Sequence, residues 1–339
     1  MEQQKGLPLH PDYDYAYDAE LKARFCARTP AKVFDAHFHL AAGEVPNVPT
    51  EESFAFCRDL TEEYVGKGKL QGGLIMGNPG NFPTEERFDE ERRFGCELTA
   101  ANEGFVSGLL VKAVGTPENT VQWLEKYPKI VALKPYKTYA RAENNYEADL
   151  LDFAPEWMWE LANERNLAVI IHLSHYGDML RDPRNGEQIR YVCQKYPNAK
   201  MVLAHCAMGH HPDKLKSGLK YLEGLDNVWM DCSGVSEALS IIYSLQTVGP
   251  KKILYGSDGY SFGFGNSGKC MAAGGNFLGI YDSESLVLPP DYQYHPIRVV
   301  SEGLLALFAA GDICGLTDSQ WEDIFWNNAA ELYYPLIRK

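Results

Sequence analysis

Two histidines one residue apart, His37 and His39, stand in the short apolar run VFDAHFHL. In an extended strand the side chains of residues i and i+2 leave the same face, so both imidazoles converge on one point. Neutral imidazole is the commonest ligand for zinc and its first-row relatives, and a same-face pair at a strand end is half of a metal site. Its plain alternative is a pair of histidines on the solvated face of a strand. Four other residues weigh on the choice by where they fall: Lys134 in IVALKPY, His172 in LAVIIHL, His205 in KMVLAH and Asp258 in KILYGSD. Singly, His172 or His205 would read as a core histidine satisfied by a backbone carbonyl, and Asp258 as a cap or turn residue. Together they stand at the same end of separate apolar runs, which favours convergence on one cation.

The elements that must carry these residues are legible as eight short runs, at 33–39, 72–77, 105–111, 130–136, 167–173, 200–205, 227–233 and 252–258. Each is rich in Val, Ile, Leu or aromatic residues, bounded by Gly, Pro, Asn or charge, and too short for a buried helix, so each reads as a buried parallel strand. Amphipathic stretches at 51–68, 84–102, 117–127, 155–166, 185–196, 212–224 and 236–248 alternate with them, with start signals at Thr84 and at Thr116 before Pro117. Eight strand–helix units predict an α/β fold, a (β/α)8 barrel over residues 31–339 preceded by an N-terminal arm over 1–30. An open doubly wound sheet is the other architecture, but no Gly-x-Gly-x-x-Gly follows the first strand. In a parallel barrel the carboxyl ends of the strands form the catalytic face, where the six residues above are expected.

Composition narrows the partners. The 339 residues carry 46 acidic against 32 basic side chains, a formal charge of −14, with no basic patch, which argues against nucleic acid or an anionic membrane surface. No window approaches the roughly 18 apolar residues of a membrane span. The first thirty residues lack a signal-peptide core, and the eight cysteines form no C-x-x-C pair, so reduced thiols in a cytoplasmic protein are expected.

FDAHFHL, IVALKPY, IIHLSH, VLAHCAMG, LYGSDGY and the terminal IFWNNAAELYY resemble the amidohydrolase superfamily. The branch in question holds metal-dependent barrel hydrolases together with aminocarboxymuconate semialdehyde and γ-resorcylate decarboxylases. The resemblance covers roughly residues 33 to 335. It implies that His37, His39, His172 and Asp258 hold one divalent metal, Zn first with Mn, Fe or Co also suited, and that His205 lies nearby. Three imidazoles and a carboxylate leave an open position, as catalytic sites do. The implied reaction is attack of metal-bound hydroxide on the carbonyl of an amide, ester or lactone in a small carboxylated substrate, with Asp258 taking the proton and His205 polarising the carbonyl. A non-oxidative decarboxylase on the same ligands is the first alternative, and a non-catalytic metal- or ligand-binding barrel the second. By the same resemblance the assembly expected is a homodimer.

Lys134 has two readings. In binuclear members of the superfamily a strand-four lysine is carboxylated and bridges a second metal; the expectation here is one metal, with Lys134 unmodified and meeting a substrate carboxylate. Arg141, on the loop with Tyr136, Lys137 and Tyr139, is the other cation available for that task. His175 reads as a loop histidine, His210 and His211 as a helix start, and Cys206 and Cys232 as core or pocket lining without a paired base. The glycine-rich stretch 259–296 reads as a lid, a subunit-contact arm or an ordinary surface excursion.

Overall fold

A computed structural model describes residues 5–7, 9, 13–145, 147–173, 179–264, 266–267, 271–273, 276–278 and 297–338. Eight strands form one sheet in chain order: β1 Val33–His39, β2 Leu70–Met76, β3 Phe105–Val111, β4 Ile130–Pro135, β5 Ala168–Ile171, β6 Lys200–Leu203, β7 Val228–Asp231 and β8 Ile253–Leu254. Each is parallel to the next. The ring closes where the backbone beyond β8 meets β1. Ala36 N–H donates to Tyr255 O at 2.9 Å and Asp258 N–H to His37 O at 2.9 Å. The predicted single (β/α)8 barrel is therefore the architecture. The eighth predicted strand, 252–258, pairs with β7 only over two residues, because from Tyr255 onward its backbone turns to β1 and to Ile324 O.

The helices are α1 Tyr15–Arg28, α2 Thr50–Val65, α3 Glu85–Ala101, α4 Pro117–Lys126, α5 Leu150–Phe153, α6 Glu156–Arg165 and α7 Pro183–Lys195, then the single turn α8 His205–Met208. They continue with α9 Pro212–Gly218, α10 Ala238–Val248, α11 Val299–Cys314, α12 Asp318–Glu322 and α13 Asn328–Tyr333. The start signals act as predicted: Thr84 Oγ1 accepts from Arg87 N–H at 3.2 Å and Thr116 Oγ1 from Asn119 N–H at 3.3 Å. The N-terminal arm contains α1, whose Asp18 takes hydrogen bonds from Tyr64 of α2 and Ser301 of α11. The helix expected over 318–338 is interrupted at Asp323–Asn327 by a wider turn. Among the described residues no helix is long and apolar enough to cross a membrane.

Two layers of core result. Helix and outer-strand side chains make the larger, while Phe34, Leu74, Met76, Val106, Ile170, Val202 and Leu254 fill the barrel's interior over Leu332, Tyr333 and Leu336. These last residues floor the barrel. Phe34 stacks on Tyr333 with ring centroids 5.8 Å apart, and Arg338 spends its guanidinium on the carbonyls of Leu124, Tyr127 and Ile130. With the bottom sealed, only the opposite rim is left for chemistry.

Candidate metal centre

At that rim β1 delivers both of its histidines to one point. His37 Nδ1 lies 2.9 Å from Asp231 Oδ2 and His39 Nδ1 lies 2.8 Å from the carbonyl oxygen of Gly77. A carbonyl accepts only, and so does an ionised carboxylate, so each ring carries its proton on Nδ1 and has a bare Nε2. The two Nε2 atoms are 3.1 Å apart. Lone pairs facing at that distance repel unless a cation lies between or beside them. A proton is a poor candidate, because burial holds both imidazoles well below the usual histidine range, with Lys134 adding to it at His37 and His37, then Lys134, at His39. A divalent cation meets the requirement, and a carboxylate or carbonyl behind each ring is the support that metal-bound histidines have.

His205 is presented by an unusual backbone. His205, Cys206, Ala207 and Met208 all have φ between 50° and 59°, a full left-handed turn closed by Met208 N–H to Ala204 O and Gly209 N–H to His205 O. Such a turn costs L-residues roughly 1–2 kcal/mol each. Strain of this kind gathers at functional sites, where surrounding contacts hold it in place. Here Asp231 Oδ1 accepts the His205 N–H at 3.2 Å, and His205 Nδ1 meets Ser233 O at 2.8 Å, leaving its Nε2 bare as well.

Asp258 completes the group. Its φ is +70°, and its side chain reaches His37 Nε2 at 3.4 Å and His205 Nδ1 at 4.0 Å. One ligand atom from each of His37, His205 and Asp258 lies within 4.8 Å of the others. The backbone after Asp258 crosses so close to β1 that a Cβ on Gly259 would stand 2.2 Å from His39 O, and Gly259 itself has φ +74°, so only glycine fits. Of the other predicted residues, His172 has its ring 5.1 Å from that of His205 and 4.7 Å from that of Tyr136.

Three carboxylates, Asp35, Asp231 and Asp258, are buried here against one ammonium, Lys134. Burial, then Asp231, raises the Asp258 carboxyl well above the usual range, and burial pushes Asp35 up to about 7. Burial is the largest cause of both shifts, and the neighbouring Asp231 carboxylate adds to each. Lys134 is fully buried, its pKa pushed down to about 8 by desolvation against the pull of Asp231 and Asp258. Its Nζ has no hydrogen-bond partner among the described residues.

Arg141 bonds Ala113 O, in the loop after β3, through its Nε and Nη2 at 3.2 and 2.9 Å, so two of its donors are already committed to the backbone. His211 begins α9, accepting the Lys214 N–H on Nδ1 at 3.4 Å, and His210 packs its ring 6.1 Å from that of His205. Cys206 and Cys232 are buried, and desolvation raises both thiols, Cys206 to about 12, so neither is a nucleophile. His175 lies outside the described residues, as does most of 259–296.

Asp231, Ser233, Gly77 and Asp35 went unpredicted. A signal existed for Asp231, an acidic residue closing the apolar run NVWMDCS as Asp258 does its own. Asp35 accepts from His37 N–H at 3.2 Å and Ser257 N–H at 3.0 Å, joining β1 to the segment after β8.

Solved structures share this fold at low identity. An amidohydrolase from Burkholderia multivorans with bound HEPES superposes with a TM-score of 0.57 at 12% identity, covering 89% of this chain and 99% of that one. A proposed 2-pyrone-4,6-dicarboxylic acid hydrolase from Pseudomonas putida gives 0.52 at 11%, covering 91% and 100%. A dihydroxybenzoic acid decarboxylase from Polaromonas sp. JS666, with bound manganese and the inhibitor 2-nitroresorcinol, gives 0.51 at 14%, covering 92% and 98%. No curated protein sequence matches the chain. The sequence model of the Amidohydrolase family, however, matches residues 34–334, and with nearly the whole barrel inside that match the chain belongs to the amidohydrolase family of enzymes.

Proposed function

We propose that the protein is a metal-dependent hydrolase that opens an amide, ester or lactone in a small carboxylated substrate, using one divalent cation. The observation that carries the reading is the facing pair of bare Nε2 atoms on His37 and His39, 3.1 Å apart, with the Asp258 carboxylate 3.4 Å from the first. His37, His205 and Asp258 form the core of the site, and His39 and His172 complete its donor set. Imidazole and carboxylate donors suit Zn, and Mn, Fe or Co after it. Bound there, the cation supplies Lewis acidity, polarising a carbonyl and bringing proton loss from water down from about 15.7 toward roughly 7.

The chain's own residues do the rest. Asp258 takes the proton of the attacking water on its carboxylate and returns it to the leaving group. Asp231 holds the His37 ring so that its Nε2 does not swing away. His205 has its proton on Nδ1 toward Ser233 O, so its Nε2 accepts and cannot donate. It therefore belongs with the donors to the cation rather than with the electrophilic role expected from sequence. Lys134, buried and with no hydrogen-bond partner for its Nζ among the described residues, takes the substrate carboxylate as a charge-assisted hydrogen bond.

That same buried ammonium favours a second reading. A decarboxylase also needs a cation to hold the carboxylate that departs, with Asp258 delivering the proton to carbon. The two are separated by incubating the metal-loaded protein with carboxylated lactones and amides and with hydroxybenzoates in ¹⁸O water. Hydrolysis puts ¹⁸O into the product and releases no carbon dioxide. Carbon dioxide without ¹⁸O in the remaining product would replace the first reading by the second, and turnover undiminished by a chelator would remove both. Elemental analysis giving two ions per chain would assign Lys134 to a carboxylated bridge.

A further inference from the structure

Glu91 belongs to α3, outside the ring of strands, and takes no part in the chemistry above, yet it is only 5% exposed. Its Oε1 accepts the N–H of Asn78 at 2.8 Å, and its carboxylate also takes the N–H of Ala42. Asn78 lies in the loop after β2, directly after Gly77, whose carbonyl receives His39 Nδ1 at 2.8 Å. Ala42 lies in the loop after β1, just beyond His39. A second carboxylate works on the same two loops: Glu44 Oε2 accepts from Ala41 N–H and its Oε1 from Asn78 Nδ2, both at 2.6 Å. Room for this arrangement depends on Gly77, where a Cβ would stand 2.7 Å from Glu91 Oε1.

A buried carboxylate is expensive to keep, and here the nearby Arg87 offsets only part of the cost. Burial, with Glu44 adding to it, raises the Glu91 pKa to about 7. What the cost maintains is the fixed placement of one carbonyl. We propose that Glu91 is a positioning residue: by pinning Asn78 and Ala42 it sets the Gly77 carbonyl that keeps His39 in its Nδ1–H tautomer, with the bare Nε2 directed at the cation. The proposal rests on the metal reading of this site for its purpose, but the tautomer itself can be observed without metal.

The test uses full-length metal-free protein labelled with ¹⁵N-histidine, in wild type, Glu91→Ala and Glu91→Gln, the His39 signals being identified by their loss in His39→Asn. Wild type should give one protonated Nδ1 and one bare Nε2 for His39. Glu91→Ala should show both tautomers exchanging, and Glu91→Gln, whose amide oxygen still accepts from Asn78, should lie between. Titration with Zn²⁺ alone against a chromophoric chelator should then show affinity weakened by roughly 10–100-fold in Glu91→Ala, the range for a support behind a ligand, and by less in Glu91→Gln. Unchanged His39 nitrogen shifts in a variant that merely melts earlier would overturn the proposal and reduce Glu91 to a loop brace. Should Glu91→Ala fail to fold, Glu91→Gln decides by the same shifts. Absence of Zn²⁺ binding by wild type would count against the metal reading, while the tautomer measurement still decides the role of Glu91.

Discussion

Asp231 serves several groups with one carboxylate. Oδ2 orients His37, and Oδ1 accepts the N–H groups of His205 and Ser233 and the Ser233 hydroxyl. Asn in its place would turn an amide N–H₂ or a lone carbonyl toward His37 Nδ1 and lose part of this set. Asp231→Asn should therefore keep the fold, by circular dichroism, while metal affinity falls by roughly 10–100-fold in a chelator competition. At the same scale, Glu91 gives stability a pH dependence of known sign. Its folded pKa of about 7 stands above the 4.5 of the free group, burial being the largest cause. Glu44, Arg87, Tyr139 and the N–H groups of Asn78 and Ala42 are what face it. Between those two values the folded chain binds more proton at this site than the unfolded one, so its contribution is fully present below 4.5 and falls as pH rises to about 7. The melting temperature of metal-free wild type minus that of Glu91→Gln should fall across this window and level off above it; a difference that stays flat would refute the assignment.

Among the elements, the barrel floor is the part whose loss is easiest to measure. Phe34 is fully buried, stacked on Tyr333 and set edge-on to Tyr334 and Trp326 at 5.7 and 6.1 Å. Phe34→Ala should cost about 3–5 kcal/mol in denaturant unfolding, the range for a large core ring, with the rim histidines unaffected at first. The floor also shows where sequence reading stops. The interior strands announce themselves by apolar runs, since a strand buried on both faces has little other composition to adopt. β8 does not: the run 252–258 looks uniform, yet only Ile253 and Leu254 pair with β7, because nothing in residue type records which neighbour a backbone N–H will choose. α1 was hidden by its polar, tyrosine-bearing composition, although Asp14 caps it through the N–H of Tyr17 at 2.9 Å. The left-handed turn at His205–Met208 has no sequence cue at all, since no glycine marks it. Of the candidate site, the cluster of His37, His205 and Asp258 could be read because rare polar residues at strand ends stand out; Glu91, on a helix among many charged neighbours, could not.

For the molecule as a whole, a cation that binds only the folded chain couples occupancy to stability. Zn²⁺ at a hundred times its Kd should stabilise the fold by about 2.7 kcal/mol. The melting temperature should therefore climb with Zn²⁺ concentration and drop on chelation, and His37→Ala should abolish the response. The order in which the polypeptide is made bears on the same architecture. Phe34 and β1 leave the ribosome early, whereas Trp326, Tyr333 and Tyr334, the rings that cover Phe34, are made near the end of this sequence. A nascent chain carrying β1 through β8 would still hold an open apolar lumen, which invites aggregation and chaperone capture. Docking of Trp326, Tyr333 and Tyr334 onto Phe34 would then close the lumen as a late step of folding.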